Sequence, residues 1–167
     1  MKRILFLILI LCLITLLPSC AKSANMTDLT QYQNEDFLAE VKISCNNQSI
    51  FAKIERSGST FKLHIASDDM PDDTFFYFTD DSTFIQSGDT AFPFSPGASP
   101  LLSHITKLFS LSTADIWKIE KATLSGVSVY KCENGYSTIY VDACSRLPLK
   151  IQQNEISVDI LSFSQSE

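Results

Sequence analysis

The residues of this chain that could carry chemistry are its cysteines, its two histidines and its clusters of aspartate. Cys45, Cys132 and Cys144 lie far apart in sequence and no histidine pair accompanies them, whereas zinc ligands recur at short, regular spacing. His64 and His104 belong to no nucleophile elbow, zincin motif or cysteine–histidine signature. With only five glycines, the chain also has no phosphate-binding loop. The sequence therefore predicts a protein that is not an enzyme, with no catalytic residue, no metal and no cofactor.

The segment 68–73 (DDMPDD) holds the densest group of carboxylates. Oxygen ligands of this kind suit calcium, but the segment lacks the spacing and the glycine of an EF-hand loop, and Pro71 stiffens its middle. The alternative is a solvated loop between two strands, and we prefer this interpretation. Asp80 and Asp81 are interpreted in the same way.

The first 19 residues have the layout of a secretory signal. Two basic residues precede an apolar run over 4–17, and the small Ser19 stands just before a possible cleavage point. The run of about 14 residues is short for a bilayer, which needs about 20 apolar residues, so a retained anchor helix is the weaker alternative. We predict a signal peptide over 1–19 and an exported mature chain.

The mature chain is acidic and long enough for one domain with a core. The signal contains two of the 13 basic residues and none of the 19 acidic ones, so 11 basic residues remain and the mature net charge is −8. Nucleic-acid binding requires many lysine and arginine contacts to phosphate. A domain held on anionic lipid by its own surface requires a polybasic patch. Neither kind of partner is expected.

The stretch L-P-S-C resembles the lipobox of bacterial lipoproteins, with Leu17 at position −3, Ser19 at −1 and Cys20 as the modified residue. Pro18 departs from the usual small or β-branched residue at −2. The resemblance implies that Cys20 carries a diacylglyceryl thioether, whose two palmitate-like chains anchor the protein stably. The protein would then be lipid-anchored on the extracytoplasmic face of the cell membrane, with 20–35 as a flexible tether. The alternative is an ordinary signal peptide followed by a chance cysteine.

From residue 36 onward, short segments of alternating apolar and polar residues are separated by turn residues. Ser99 followed by Pro100 starts the one clear helical pattern, an apolar stripe of about three turns. Connections this short indicate one large antiparallel sheet, and about eleven strands cannot remain flat. We predict a mainly β (α+β) domain over 36–167, a single strongly curved antiparallel sheet of about eleven strands. The sheet would form a half-closed barrel with a helical lid.

The order of elements and the closing segments resemble the lipoprotein-carrier fold of bacterial lipoprotein-sorting proteins. The closing segments are G-V-S-V-Y (126–130), Y-S-T-I-Y-V-D (136–142) and L-P-L-K-I (147–151). The resemblance implies a half-barrel that binds acyl chains in the hollow between sheet and lid, although no position matches the basic cavity residue of the carriers. Our first hypothesis is a non-enzymatic protein that binds a lipid or a lipidated molecule such as a lipoprotein. Its hydrophobic cavity would be lined by Leu101, Leu102, Ile105, Leu108, Phe109 and Trp117.

The same apolar stripe also suits a plain core, which leaves a second hypothesis from a different class. In that case the hollow is filled by the protein's own side chains, and the scaffold holds a protein partner or forms a homodimer. The resemblance allows this alternative, because members of the fold in Gram-positive bacteria include spore-germination lipoproteins thought to work through protein partners. The alternative function is therefore an adaptor in the cell envelope.

The disulfide pairing of the three mature cysteines stays open. With the Asn-Gly pair 134–135 at the centre of a hairpin turn, Cys132 faces Ser137 and lies roughly 20 Å or more from Cys144, so these two are not expected to bridge. Cys45 could pair with either of them, and an unpaired thiol could join two molecules. Small buried side chains are the plain alternative.

Overall fold

A computed structural model describes residues 24–46, 48–67, 70–95, 105, 109, 111 and 115–165. The described residues form one antiparallel sheet of eleven strands, which is not closed into a barrel. The mainly β class and the predicted number of strands are confirmed. The strands are β1 (Phe37–Cys45), β2 (Gln48–Ser57), β3 (Thr60–Ala66), β4 (Thr74–Phe78), β5 (Thr83–Ser87), β6 (Thr90–Pro93), β7 (Lys118–Leu124), β8 (Val127–Glu133), β9 (Ser137–Asp142), β10 (Pro148–Gln153) and β11 (Ile156–Gln165).

The alternation of apolar and polar residues gives the sheet one buried face, which we call the inner face. On β1, Phe37, Ala39, Val41 and Ile43 are at most 1% exposed, while the residues between them are exposed or half-buried. Successive side chains of a strand point to opposite faces, so the polar residues form the outer face. One row of paired inner-face residues crosses five adjacent strands and is fully buried: Ile43, Val158, Ile151, Ile139 and Cys132.

The strand order requires one segment to run across the whole sheet. The order is β6-β5-β4-β3-β2-β1-β11-β10-β9-β8-β7, so two meanders meet at the β1–β11 pair and the edge strands β6 and β7 are consecutive in sequence. The segment 94–117, here called the crossing segment, therefore joins opposite edges. Ile105 and Phe109 are 1% and 0% exposed, and the Phe109 ring lies 5.6 Å from that of Phe37 on the central strand β1. Ile105 and Phe109 of the crossing segment thus pack on the inner face. Ile105 is helical, but most of the predicted lid helix lies outside the described residues.

The prediction of a flexible tether over 20–35 is wrong for its second half. Met26–Leu29 forms a short α-helix, α1, and Gln31–Asn34 continues as a 3-10 helix. None of the described helices has the length or apolar character needed to cross a membrane. Leu29 and Tyr32 are 0% and 1% exposed, so this segment belongs to the core. With Met26, three apolar residues lie three positions apart, and this pattern is too short to predict a helix because such short helices depend on tertiary packing.

The pairing in the β8–β9 hairpin is shifted by two residues from the predicted register, because the centre of the turn lies one residue later. Cys132 pairs with Ile139 and not with Ser137, because Asn134 precedes the two central turn residues instead of being one of them. The Asn134 side-chain oxygen accepts hydrogen bonds from the two backbone N–H groups that follow the glycine, at 3.1 and 2.8 Å. Gly135 adopts a φ of +85°, which suits a residue without Cβ. The asparagine thus stabilises the turn through its side chain, a role that the Asn-Gly rule does not distinguish.

Candidate binding surfaces

The predicted cavity wall lies only partly within the described residues. Ile105 and Phe109 belong to the buried core, and Trp117 is half-buried against it. Leu101, Leu102 and Leu108 lie outside the described residues. The structure thus places two of the six residues on the inner face. That all six line a cavity remains a prediction.

Aromatic rings fill the inner face where β1 begins. The Phe37 ring stacks on that of Phe163 with centroids 4.9 Å apart, and lies 5.6 Å from Phe109 and 6.4 Å from Phe61. Tyr32 packs edge-on against Phe163 at 5.8 Å, and burial raises the pKa of its hydroxyl to about 12. Aromatic pairs add about 0.5–1.5 kcal/mol each beyond area burial. This aromatic cluster holds the crossing segment and the N-terminal helices to the same end of the sheet.

At the other end of β1 the inner face carries a depression. Its volume is about 160 Å³, and it is lined by Ile43, Cys45, Asn46, Gln48 and Ile50. Ligand pockets usually measure about 300–1,000 Å³, so this depression could hold only part of an acyl chain. The inner-face row that begins at Ile43 is fully buried. A longer ligand on this face therefore requires the crossing segment to move.

The three described cysteines have different surroundings. Cys132 is fully buried on the inner face, and burial raises the pKa of its thiol to about 11, which makes it a poor nucleophile. Cys45 is half-buried on β1, four strands from Cys132, or about 19 Å at 4.8 Å per strand, and both are free thiols. Cys144 is exposed in the β9–β10 loop and follows Ala143, whose N–H donates to the Ser128 carbonyl, about 14 Å along β8 from Cys132. These separations exceed the reach of a disulfide.

A polar pocket lies at the aromatic-cluster end, between the 3-10 helix and the β9–β10 loop. The Arg146 guanidinium carbon lies 4.7 Å from the centre of the Tyr130 ring, and Nη1 of Arg146 is buried with no hydrogen-bond partner. Arg146 is in none of the ion pairs among the described residues. Sequence reasoning missed this arginine because a single basic residue in a loop forms no motif. The pocket measures about 210 Å³ and is lined by Gln31, Tyr32, Glu35, Ser145, Arg146, Leu147 and Gln165.

Hydrogen bonds to Asp142 fix the loop that carries Arg146. The Asp142 Oδ1 accepts from the Cys144 N–H at 2.8 Å and the Ser145 N–H at 2.7 Å, and its carbonyl accepts from the Arg146 N–H at 3.1 Å. The bond from the Ser145 N–H is the main reason why the pKa of the Asp142 carboxyl lies below its usual value. Arg146 has a φ of +63°, a left-handed conformation that costs a non-glycine residue about 1 kcal/mol. The loop therefore holds Arg146 in place at a conformational cost.

The outer face carries an apolar groove of about 300 Å³ over strands β1, β2, β3 and β11. Phe51 and Leu161, which line it, are 53% and 56% exposed. Leu161 follows the inward-facing Ile160 and therefore points outward, and a register shift between Glu40 and Val41 makes it the extra, unpaired residue of a bulge. The ion pair between Lys53 and Glu40, at 3.1 Å, borders the groove. Contiguous exposed apolar surface of this kind is typical of interaction sites.

The remaining residues singled out for chemistry form no site in the part of the chain that the structure describes. The His64 ring lies 5.3 Å from that of Phe75 on the outer face. No group of three potential metal ligands occurs among the described residues. The described part of the acidic segment, 70–73, leads into β4. His104, Cys20 and the signal peptide lie outside the described residues, so their predicted roles remain predictions.

Comparison with known proteins shows a shared fold. No protein-family model and no curated protein matches the chain. An uncharacterized conserved protein from Thermus thermophilus is similar with a TM-score of 0.54 and 11% identity, over 84% of this chain and 85% of that one. MucB in complex with MucA(peri) has a TM-score of 0.49 and 15% identity, over 85% of this chain and 54% of that one. A LolA superfamily protein from Nitrosomonas europaea, NE2245, has a TM-score of 0.40 and 6% identity, over 87% and 95%. The first likeness shows the fold, and none shows an activity.

Proposed function

We propose that this protein is a non-enzymatic lipoprotein, anchored on the extracytoplasmic face of the membrane, that binds a lipid or a lipidated molecule between the inner face and the crossing segment. The observation that carries this proposal is the crossing segment itself. It joins opposite edges of the sheet and places Ile105 and Phe109 on a face that is apolar across five strands. An acyl chain inserted there would contact apolar side chains on both sides.

The energies allow such an insertion. Separating Ile105 and Phe109 from the sheet costs about 3–6 kcal/mol, since burial of each side chain contributes about 1.5–3 kcal/mol. An acyl chain that buries about twelve methylenes gains about 10 kcal/mol, at about 0.8 kcal/mol each. For a chain that enters from water, this gain exceeds the cost of exposing these two side chains. An inserted chain would therefore replace the contacts that close the inner face in the free protein.

The distance between the proposed anchor and the domain fits this role. Five residues, 21–25, lie between a lipidated Cys20 and the start of α1 at Met26. Fully extended, that connection spans about 20 Å. The binding face would stay close to the bilayer surface.

A pair of matched substitutions tests the proposal. Ile105→Asp places a carboxylate between the sheet and the crossing segment, where an acyl chain would leave it without hydration. Phe51→Asp places the same group on the outer face. We expect Ile105→Asp to abolish uptake of a fluorescent fatty acid and Phe51→Asp to preserve it, with circular dichroism as the control for folding. Uptake by folded Ile105→Asp protein at the wild-type level would contradict the proposal.

The outer-face groove favours a second candidate function, that of an adaptor for a protein partner. A partner could insert an apolar side chain beside Phe51 and Leu161, with the Glu40–Lys53 ion pair as part of a polar rim. A second copy of this chain could dock in the same way. For an adaptor, Phe51→Asp should abolish partner capture or concentration-dependent dimerisation, while Ile105→Asp should only destabilise the domain. The same two variants therefore separate the two functions.

A further inference from the structure

We propose that Arg146 forms a binding site for an anionic group, a phosphate or a carboxylate, in the polar pocket at the aromatic-cluster end of the inner face. The guanidinium is charged at every physiological pH. Its Nη1 is buried and has no acceptor. Native proteins seldom leave a buried charged donor in this state, because its lost hydration is not replaced. An anion in the pocket would supply the missing acceptor.

The surroundings of Arg146 suit an anion. The Tyr130 ring covers one face of the guanidinium at 4.7 Å, so a planar, two-pronged contact with an anion would form along the guanidinium edge. Ser145 and Gln165 line the same pocket and can donate hydrogen bonds. Asp142 positions the arginine, because its carbonyl accepts from the Arg146 N–H at 3.1 Å. The site is thus held before any ligand arrives.

One acidic group faces the proposed ligand. Glu35 lines the pocket, and its carboxylate accepts a hydrogen bond from Nε2 of Gln31 at 3.3 Å. Tyr32 also lines the pocket, but burial raises its pKa to about 12, so its hydroxyl stays neutral. Glu35 must therefore weaken the binding of an anion beside Arg146. Replacing Arg146 should therefore weaken anion binding, and replacing Glu35 should strengthen it.

The pocket also adjoins the face on which the acyl chain is proposed to lie. Tyr32 belongs both to the pocket lining and to the aromatic cluster, and the cluster includes Phe109 of the crossing segment. An amphiphile could place its anionic group at Arg146 and its chain under the crossing segment. This extension depends on the proposed function, whereas the anion site itself does not. The anion could equally be free in solution, so the test has two arms.

The first arm measures binding of inorganic phosphate. The full lipid-anchored chain is placed in phosphatidylcholine nanodiscs, and unfolding is followed by the fluorescence of its single tryptophan. We expect Tm to rise by about 4 °C when phosphate, replacing chloride at constant ionic strength, exceeds its Kd about twentyfold. Arg146→Gln should remove this rise and Glu35→Gln should enlarge it. Arg56→Gln is the matched control, because Arg56 also lies over a ring, that of Phe61 at 5.5 Å, but its Nε donates to the Gly58 carbonyl at 2.9 Å.

The second arm compares dodecyl phosphate with dodecanol in the same assay. One outcome is that dodecyl phosphate raises the Tm of wild type while dodecanol does not, and that Arg146→Gln removes this rise. If inorganic phosphate has no effect in the first arm, this outcome identifies a lipid headgroup as the ligand. An Arg146-dependent effect of free phosphate with no effect of either amphiphile supports the anion site and contradicts the proposed lipid function. If both amphiphiles stabilise wild type and Arg146→Gln equally and free phosphate has no effect, lipid binding stands and the anion site is refuted. No Arg146-dependent rise in either arm also refutes it.

Discussion

Phe109→Ala tests whether an acyl chain can take the place of the crossing segment's contacts with the inner face. Phe109 is fully buried, and its ring lies 5.6 Å from that of Phe37. Truncation of a buried phenylalanine costs about 3–5 kcal/mol, and we expect the free energy of unfolding to fall by this amount. The cavity left under the segment is space that an acyl chain can fill. The contacts of Phe109, about 1.5–3 kcal/mol, then no longer oppose insertion, so the Kd for a fatty acid should fall about tenfold to a hundredfold.

The assay is urea unfolding of each variant with and without a twelve-carbon fatty acid, together with direct titration of the ligand. Val129→Ala is the control for a general loss of stability, because Val129 is fully buried on β8 but lies outside the core cluster of the inner face. We expect it to lower the free energy of unfolding without improving affinity. A Kd that is unchanged in Phe109→Ala, or lowered equally in Val129→Ala, would show that the acyl chain does not take the place of the Phe109 contacts.

Three further predictions concern the N-terminal helices, the β9–β10 loop and the anchor. Leu29→Ala should lower the free energy of unfolding by about 2–5 kcal/mol because Leu29 is fully buried; no loss in urea unfolding would restore the tether interpretation. The folded pKa of Asp142 is lowered, so its stabilisation is present above its unfolded pKa of about 3.9 and is lost as pH falls through the folded value. Asp142→Asn keeps a hydrogen-bond acceptor but does not titrate, so the free energy of unfolding should fall less between pH 6 and 2 than in wild type. The same pH dependence in both proteins would contradict a stabilising role of the Asp142 carboxylate. Cys20→Ala should release the protein or leave its signal uncleaved and should abolish labelling with palmitate, whereas normal cleavage with full membrane retention would oppose anchoring.

The strands could be predicted from the sequence because their pattern is local. Ile50, Ala52 and Ile54 alternate with polar residues over a few positions, and a turn follows at Gly58. Antiparallel neighbours joined by such short turns leave few possible topologies. The alternation does not predict that β1 pairs with β11. This pairing joins the first and last strands and makes β6 and β7 the edges of the sheet.

The parts that could not be predicted depend on single contacts between distant residues. Leu29 and Tyr32 are helical and buried because the sheet lies beneath them, and nothing in their own segment distinguishes them from a polar tether. Arg146 became a candidate only when its Nη1 proved to be buried without a partner. The bulge at Leu161 is visible only in the β1–β11 pairing. None of these properties has a period or a motif.

The central claim, that the inner face holds an acyl chain, is tested most directly by native mass spectrometry of residues 24–167 produced without the N-terminal lipid. We expect co-purifying acyl species that are released on denaturation and that are missing from folded Ile105→Asp protein. A bare mass at every concentration of added fatty acid would contradict it. Dimers abolished by Phe51→Asp would then assign the function to the outer face.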